Sequence, residues 1–163
     1  MSMKRILFVC TGNSCRSVMA EGLMRHRLKH AGIETIHVES AGVFAIDGMS
    51  PTRETQQVLA DVGIDCGAHR ARLLSPPMIE AADIIFVMER LHLDQVLRRC
   101  PSAKDKVFLL KAYGLPKEET GMTPEIPDPI GKPLEVYEIC LSEIRDAVER
   151  AAKSLGVASS PKE

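Results

Sequence analysis

A thiol lodged between a strand and a helix constrains this chain more than any other feature. The apolar run Ile6-Leu7-Phe8-Val9 leads directly into Cys10-Thr11-Gly12-Asn13-Ser14-Cys15-Arg16-Ser17, and a helical pattern begins at Ser17. A strand, a tight loop and a helix in that order bring loop amides and a helix N-terminus to one point, where backbone partial charges favour an oxyanion. Arg16 adds a planar fork of donors that matches two oxygens of a phosphate. The same positive field favours Cys10 as a thiolate nucleophile. A strand-end thiol, an ordinary Gly12-Asn13 turn and a surface Arg16 would account for each residue singly. Their combination at a strand-to-helix junction is what points to a site.

The pattern predicts an α/β fold. Buried strands are expected at Arg5–Val9, Thr35–Ser40, Ile84–Met88 and Val107–Leu110. Between them, Met19, Ala20, Leu23, Met24 and Leu28 form one helical face that stops at Gly32. Ser50-Pro51 opens a second helix, with Ser50 as its cap, closing at Gly63, and Ser75-Pro76 opens a third. A charged helix covers Leu91–Arg98, and the clearest helix runs from Leu134 to Leu155. Ala112–Pro127 lacks a period and is expected as a long surface loop. Alternating strands and helices imply a three-layer, doubly wound parallel four-stranded sheet with helices on both faces. Ligands bind such sheets at the carboxyl ends of strands, where the Cys10 loop leaves the first one. A single domain is expected over 1–155, followed by a disordered polar tail over 156–163.

Composition narrows the partners. With 163 residues, 45% apolar, 26% charged and a formal net charge of −1, the chain carries no electrostatic case for nucleic acid or a membrane surface. It has no Trp and only two Tyr, which argues against base-stacking platforms. Five scattered cysteines (Cys10, Cys15, Cys66, Cys100, Cys140) read as reduced thiols, and none has zinc-finger spacing, so no metal is expected. The apolar stretch after Lys4-Arg5 is too short for a signal peptide, so a cytoplasmic location is expected. We expect no cofactor, and a monomer or weak dimer.

Thiolate attack on a phosphoryl group expels a leaving group that needs a proton. Asp128-Pro129, at the end of the long loop, is the best placed acid, although an ordinary Asp-Pro turn has the same sequence. Asp47, Asp61, Asp65 and Asp83 compete but sit in or beside predicted elements. Ser17 either donates to the Cys10 thiolate or caps the helix, and Asn13 holds the loop through its side chain or a left-handed backbone. Cys15 either packs or traps oxidised Cys10 as a disulfide.

Along nearly its whole length the chain resembles the low-molecular-weight protein tyrosine phosphatase family. The resemblance is carried by Val9 to Ser17, by Ser40-Ala41-Gly42, by Asp128-Pro129 and by Ala68-His69-Arg70-Ala71-Arg72. It implies Cys10 as nucleophile, Arg16 as phosphate and transition-state ligand, and Asp128 as general acid and then base. It implies Thr11, Gly12, Asn13, Ser14, Cys15 and Ser17 as the phosphate-binding loop, with Ser40 and His69 as support and a phosphorylated protein as substrate. Tyrosine-specific members usually have an apolar residue at position 14, an aromatic wall after Ser-Ala-Gly and tyrosines after Asp-Pro. This chain has Ser14, Phe44 and Ile130 at those specificity positions, and Val18 in place of the usual proline. Bacterial protein arginine phosphatases have a polar Thr where Ser14 stands, and they resemble the chain again through Ser40 to Ala45 and Lys106 to Lys111.

Two other functions share such a loop. Thioredoxin-coupled arsenate reductases need two further relay thiols, but Met88 stands where the first would be and only Cys100 follows before the last helix. A non-catalytic phosphocysteine carrier or phosphate sensor would use the loop without an acid.

Overall fold

The computed structural model describes residues 4–116 and 124–157. Ile6 to Cys10 are apolar and buried on both sides, so their strand, Lys4–Cys10 (β1), lies inside the sheet. Ile36–Gly42 (β2) pairs with one edge of β1 and Ile84–Val87 (β3) with the other, and Val107–Leu109 (β4) adds to β3. All pairings are parallel, giving the order β2-β1-β3-β4. The chain therefore leaves β1 toward one side and returns to its other side, which puts the topological switch point between the carboxyl ends of β1 and β3.

Among the described residues, five α-helices cover the sheet: Arg16–His30 (α1), Arg53–Ala60 (α2), Pro76–Ala81 (α3), Arg90–Arg99 (α4) and Leu134–Ser154 (α5). Strand alternation divides the core in two. Ile6, Phe8 and Cys10 point into a cluster with Met19, Leu23, Leu59, Ile144 and Val148, beneath α1, α2 and α5. Leu7 and Val9 point the other way, against Ile79, Val96 and Ala103, beneath α3 and α4. Phe8 stacks on Phe86 with ring centroids 5.6 Å apart, and Phe86 meets the edge of Tyr113 at 4.9 Å.

Several expectations shift. The second helix starts at Arg53, because the Thr52 hydroxyl accepts from the Thr55 N–H; Thr52 is the cap, not Ser50. β2 continues through Gly42, two residues past Ser40, because residues 72–74 bridge to its end. The segment expected as a surface loop contains a fully buried residue, Ile126, while 117–123 lie outside the described residues. The tail enters the core at Val157, which is buried and donates its N–H to Ala152; 158–163 lie outside the described residues. Among the described residues, no helix is long and apolar enough to cross a membrane.

Phe86 joins β3 to both β1 and the turn at Tyr113, so Phe86→Ala should cost about 3–5 kcal/mol of unfolding free energy by urea titration.

Candidate active site

The loop from Cys10 to Ser17 turns sharply because Asn13 adopts a left-handed backbone (φ 54°), which a short polar side chain tolerates. Asn13 then holds the loop with its amide. Its oxygen accepts from the Arg72 N–H (3.0 Å), which fixes the amide orientation. Its nitrogen donates to the hydroxyls of Ser17 (2.7 Å) and Ser40 (2.9 Å). The Ser40 hydroxyl passes its own proton toward Glu21 (3.0 Å). Since Ser17 already accepts from Asn13, its hydroxyl hydrogen is free to donate to the Cys10 sulfur, 2.9 Å away. Ser17 lies inside the first turn of α1, which has Cys15 as its cap residue, so it serves the thiol rather than capping the helix.

Around this chain sits a second layer. His69 Nε2 donates to the Asn13 carbonyl (3.0 Å), and its Nδ1 faces Glu21 at 3.7 Å. Burial alone would raise the Glu21 carboxyl, but His69, Arg25 and Ser40 outweigh it and hold it below the usual carboxylate range. Gly42 is required where β2 passes the loop: a Cβ there would lie 2.5 Å from the Thr11 carbonyl oxygen and 2.8 Å from the Asn13 nitrogen. A cleft of about 630 Å³ lies behind this layer, between α1 and the outer edge of β2. Cys10, Arg16 and Asp128 do not line it.

Arg16 is buried, at 1% exposure, and its guanidinium is divided by function. Nη1 donates to the Glu89 carboxylate and to the Ile126 carbonyl, both at 2.7 Å. The opposite edge, equally buried, has no short partner among the described residues. Nη2 makes only longer contacts, to Thr11 Oγ1 at 3.4 Å and to Asp128 at 3.6 Å, and the buried Nε has no hydrogen-bond partner among the described residues. Nε and Nη2 together present a planar fork whose geometry matches two oxygens of one oxyanion. Burial would lower the Arg16 pKa, but the facing Cys10, Glu89 and Asp128 raise it above its ordinary value.

Two residues here were not singled out from the sequence. Glu89 and His92 occupy the start of α4, at the end of β3 and hence at the switch point. The Glu89 N–H donates to His92 Nδ1 (3.0 Å), so the ring proton sits on Nε2 and is donated to Thr11 Oγ1 (2.9 Å). Burial, and then the Arg16 charge, push His92 from its ordinary 6.5 to about 3. Their spacing, Glu-x-x-His directly after the most apolar strand, was the available signal.

The remaining candidates fall around the loop. Cys15 is buried and its thiol faces Thr52 and the Tyr137 hydroxyl. Ser14 is half-buried, with its carbonyl accepting from the Thr52 N–H. The Phe44 N–H donates to the Thr11 carbonyl, and its side chain is 56% exposed. Asp128 Oδ1 accepts from the Ile130 N–H (3.1 Å), and the Ile130 side chain is 55% exposed. Among the described residues, no group of three or more His, Cys, Asp or Glu could hold a metal ion.

The family model of low molecular weight phosphotyrosine protein phosphatases matches residues 5–160. The chain belongs to this family. A protein-arginine-phosphatase from Geobacillus stearothermophilus is 40% identical over 93% of the chain and 95% of its own length. A probable low molecular weight protein-tyrosine-phosphatase, EpsP, from Ralstonia nicotianae is 35% identical over 90% and 92%. Among solved structures, a YwlE arginine phosphatase mutant with a phosphorylated active-site serine superposes with a TM-score of 0.84 at 32% identity. It covers 93% of this chain and 95% of that one. Members of the family are hydrolases, and the fold and loop place this chain among them.

His92 stays neutral in the fold while an unfolded histidine takes a proton below about pH 6.5. Its share of stability is therefore intact above pH 6.5 and is lost as pH falls toward 3, by up to about 1.4 kcal/mol per pH unit. Urea titrations at pH 6 and pH 4.5 should show His92→Gln losing less stability than the wild type over that interval. Parallel losses would contradict a neutral buried His92.

Proposed function

We propose that this chain is a cysteine-dependent protein phosphatase that acts through a phosphocysteine intermediate, with phosphoarginine in proteins as its preferred substrate. The observation that carries the reading is the Nε–Nη2 edge of the buried Arg16, left without a short partner at the start of α1, where the loop from Cys10 ends. In this reading that edge takes two phosphoryl oxygens, and the loop amides and the start of α1 take the rest of the charge. The Cys10 sulfur attacks phosphorus in line and forms an S–P bond as the bond to the leaving nitrogen or oxygen breaks. Asp128 donates a proton to that leaving atom. Water then attacks phosphorus with Asp128 as base, and Cys10 departs as a thiolate stabilised by the Ser17 hydroxyl. Phosphate leaves and both groups return to their starting states.

Asn13, Ser40 and His69 act by holding the loop, and Thr11, Gly12, Ser14 and Cys15 complete its backbone. Ser14, Phe44 and Ile130 set what enters. The preference for phosphoarginine rests on the small polar Ser14 and on a rim whose aromatic side chain at these positions is Phe44 alone. The named activity of the Geobacillus relative agrees with it. Phosphotyrosine is the second reading, favoured by the exposed Phe44 ring and by the named activity of the Ralstonia relative. Phosphorylated proteins are the partners in both, and a cytoplasmic site of action and a monomer or weak dimer belong to the same proposal. Arsenate reduction is disfavoured because buried Met88 stands where a relay thiol is needed.

Phosphoarginine and phosphotyrosine peptides should both be offered to the reduced protein, with Cys10→Ser as the blank. Faster release from phosphoarginine supports the proposed substrate; faster release from phosphotyrosine moves the chain to the second reading. Turnover by Cys10→Ser would overturn the mechanism. Asp128→Ala should lower kcat/KM about a hundredfold or more for a phosphotyrosine peptide and far less for p-nitrophenyl phosphate, whose leaving group needs no proton. Equal losses would give Asp128 another role.

A further inference from the structure

The acid needs to be aimed as well as present, and what aims it lies three residues upstream. Residues 124–128 belong to no helix or strand, so no regular ladder fixes them. The contact between Asp128 and Arg16, at 3.6 Å, is longer than a hydrogen bond and does not set where the carboxyl sits. The other contact, the Ile130 N–H donating to Asp128 Oδ1 at 3.1 Å, fixes the carboxyl only relative to its own turn, so the backbone must place that turn. Ile126 is pinned at both polar groups: its N–H donates to the Met88 carbonyl (3.0 Å), and its carbonyl accepts from Arg16 Nη1 (2.7 Å). Anchored there alone, the segment could still pivot about Ile126. A second tether lies one residue earlier, where a Glu125 carboxylate oxygen accepts the Arg90 N–H at 2.9 Å. Arg90 is the first residue of α4, so its N–H has no partner within the helix, and a carboxylate at that end also suits the helix dipole. Pro127 and Pro129 flank Asp128 and restrict the chain on both sides of it.

We propose that Glu125 is a positioning residue for the Asp128 carboxyl, acting through the backbone N–H of Arg90. The proposal rests on the phosphatase reading and adds to it a tether between the acid loop and the end of β3. Glu125 touches neither substrate nor the reacting atoms. Its loss leaves the segment held at Ile126 alone, so that Asp128 and its turn can shift together about that point.

The test compares kcat/KM for phenyl phosphate, a poor leaving group, with that for p-nitrophenyl phosphate, a good one. Glu125→Ala should lose roughly tenfold on phenyl phosphate and no more than about twofold on p-nitrophenyl phosphate, because misplacing a proton donor matters only where a proton is needed. Glu125→Gln, whose amide oxygen still accepts the Arg90 N–H, should restore most of the loss. Arg90→Pro removes the N–H from the other side. Proline is tolerated at the first helical position, and the extended Glu89 before it suits a following proline, so α4 should survive. It should reproduce the Glu125→Ala pattern, and the double variant should be no worse than either single one. Equal losses on the two substrates, no loss on phenyl phosphate, or additive losses in the double variant would each overturn the proposal. A wild-type protein inactive on both substrates and on the phosphoarginine peptide would instead overturn the phosphatase reading itself.

Discussion

A guanidinium with 1% exposure inside a 163-residue protein must have its charge answered, and the arrangement around Arg16 follows from that requirement. Glu89 and the Ile126 carbonyl answer it on one edge. Those two contacts draw the end of β3 and the acid-bearing segment onto the loop after β1. The other edge has no short partner among the described residues, and in the proposed function a dianion completes the pairing there. One side chain thus serves as a structural cross-link through Nη1 and, in the proposed function, as an anion receptor through Nε and Nη2. Replacing it by lysine would supply a charge without the geometry.

The loop itself is held from behind. A run of hydrogen bonds passes from Glu21 through Ser40 and Asn13 to Ser17 and ends at the Cys10 sulfur, and its direction is set by the Arg72 N–H on the Asn13 oxygen. Each member is a short polar side chain on a rigid element or pinned turn, which suits a site that must be preorganised. The outer edge of β2 is occupied too: Arg25 donates to the Val38 carbonyl and Arg72 to that of Ser40. This edge is therefore closed to further strand pairing while its inner face supports the loop.

What was legible in the sequence was what is local. The strand, loop and helix from Ile6 to Leu28 are contiguous, and their pattern switches cleanly from buried strand to helical period. The four strands and their parallel direction follow from alternation with helices, whereas the order β2-β1-β3-β4 is set by long-range pairing that the sequence pattern does not specify. The start of α2 was misplaced because Ser50, Pro51 and Thr52 offer competing start signals, and the Thr52 hydroxyl prevails by reaching the Thr55 N–H. Ile126 and Val157 were hidden for a different reason. Each is an isolated apolar residue in an aperiodic stretch, and each is buried by distant partners that local sequence does not reveal. His92 reads as part of a charged helix, yet it is fully buried, and burial followed by the Arg16 charge keeps it neutral while its two nitrogens meet the Glu89 N–H and the distant Thr11 hydroxyl.

The central claim is that phosphorus passes through the Cys10 sulfur. Acid quenching of a reaction with p-nitrophenyl phosphate, within the first turnover, tests it most directly. Peptide mapping of the quenched protein should find phosphate on Cys10 and on no other residue, formed as fast as p-nitrophenol is released and lost at the rate of phosphate release. Product release with no phosphorylated Cys10 at any time, or phosphate on a different side chain, would contradict the account.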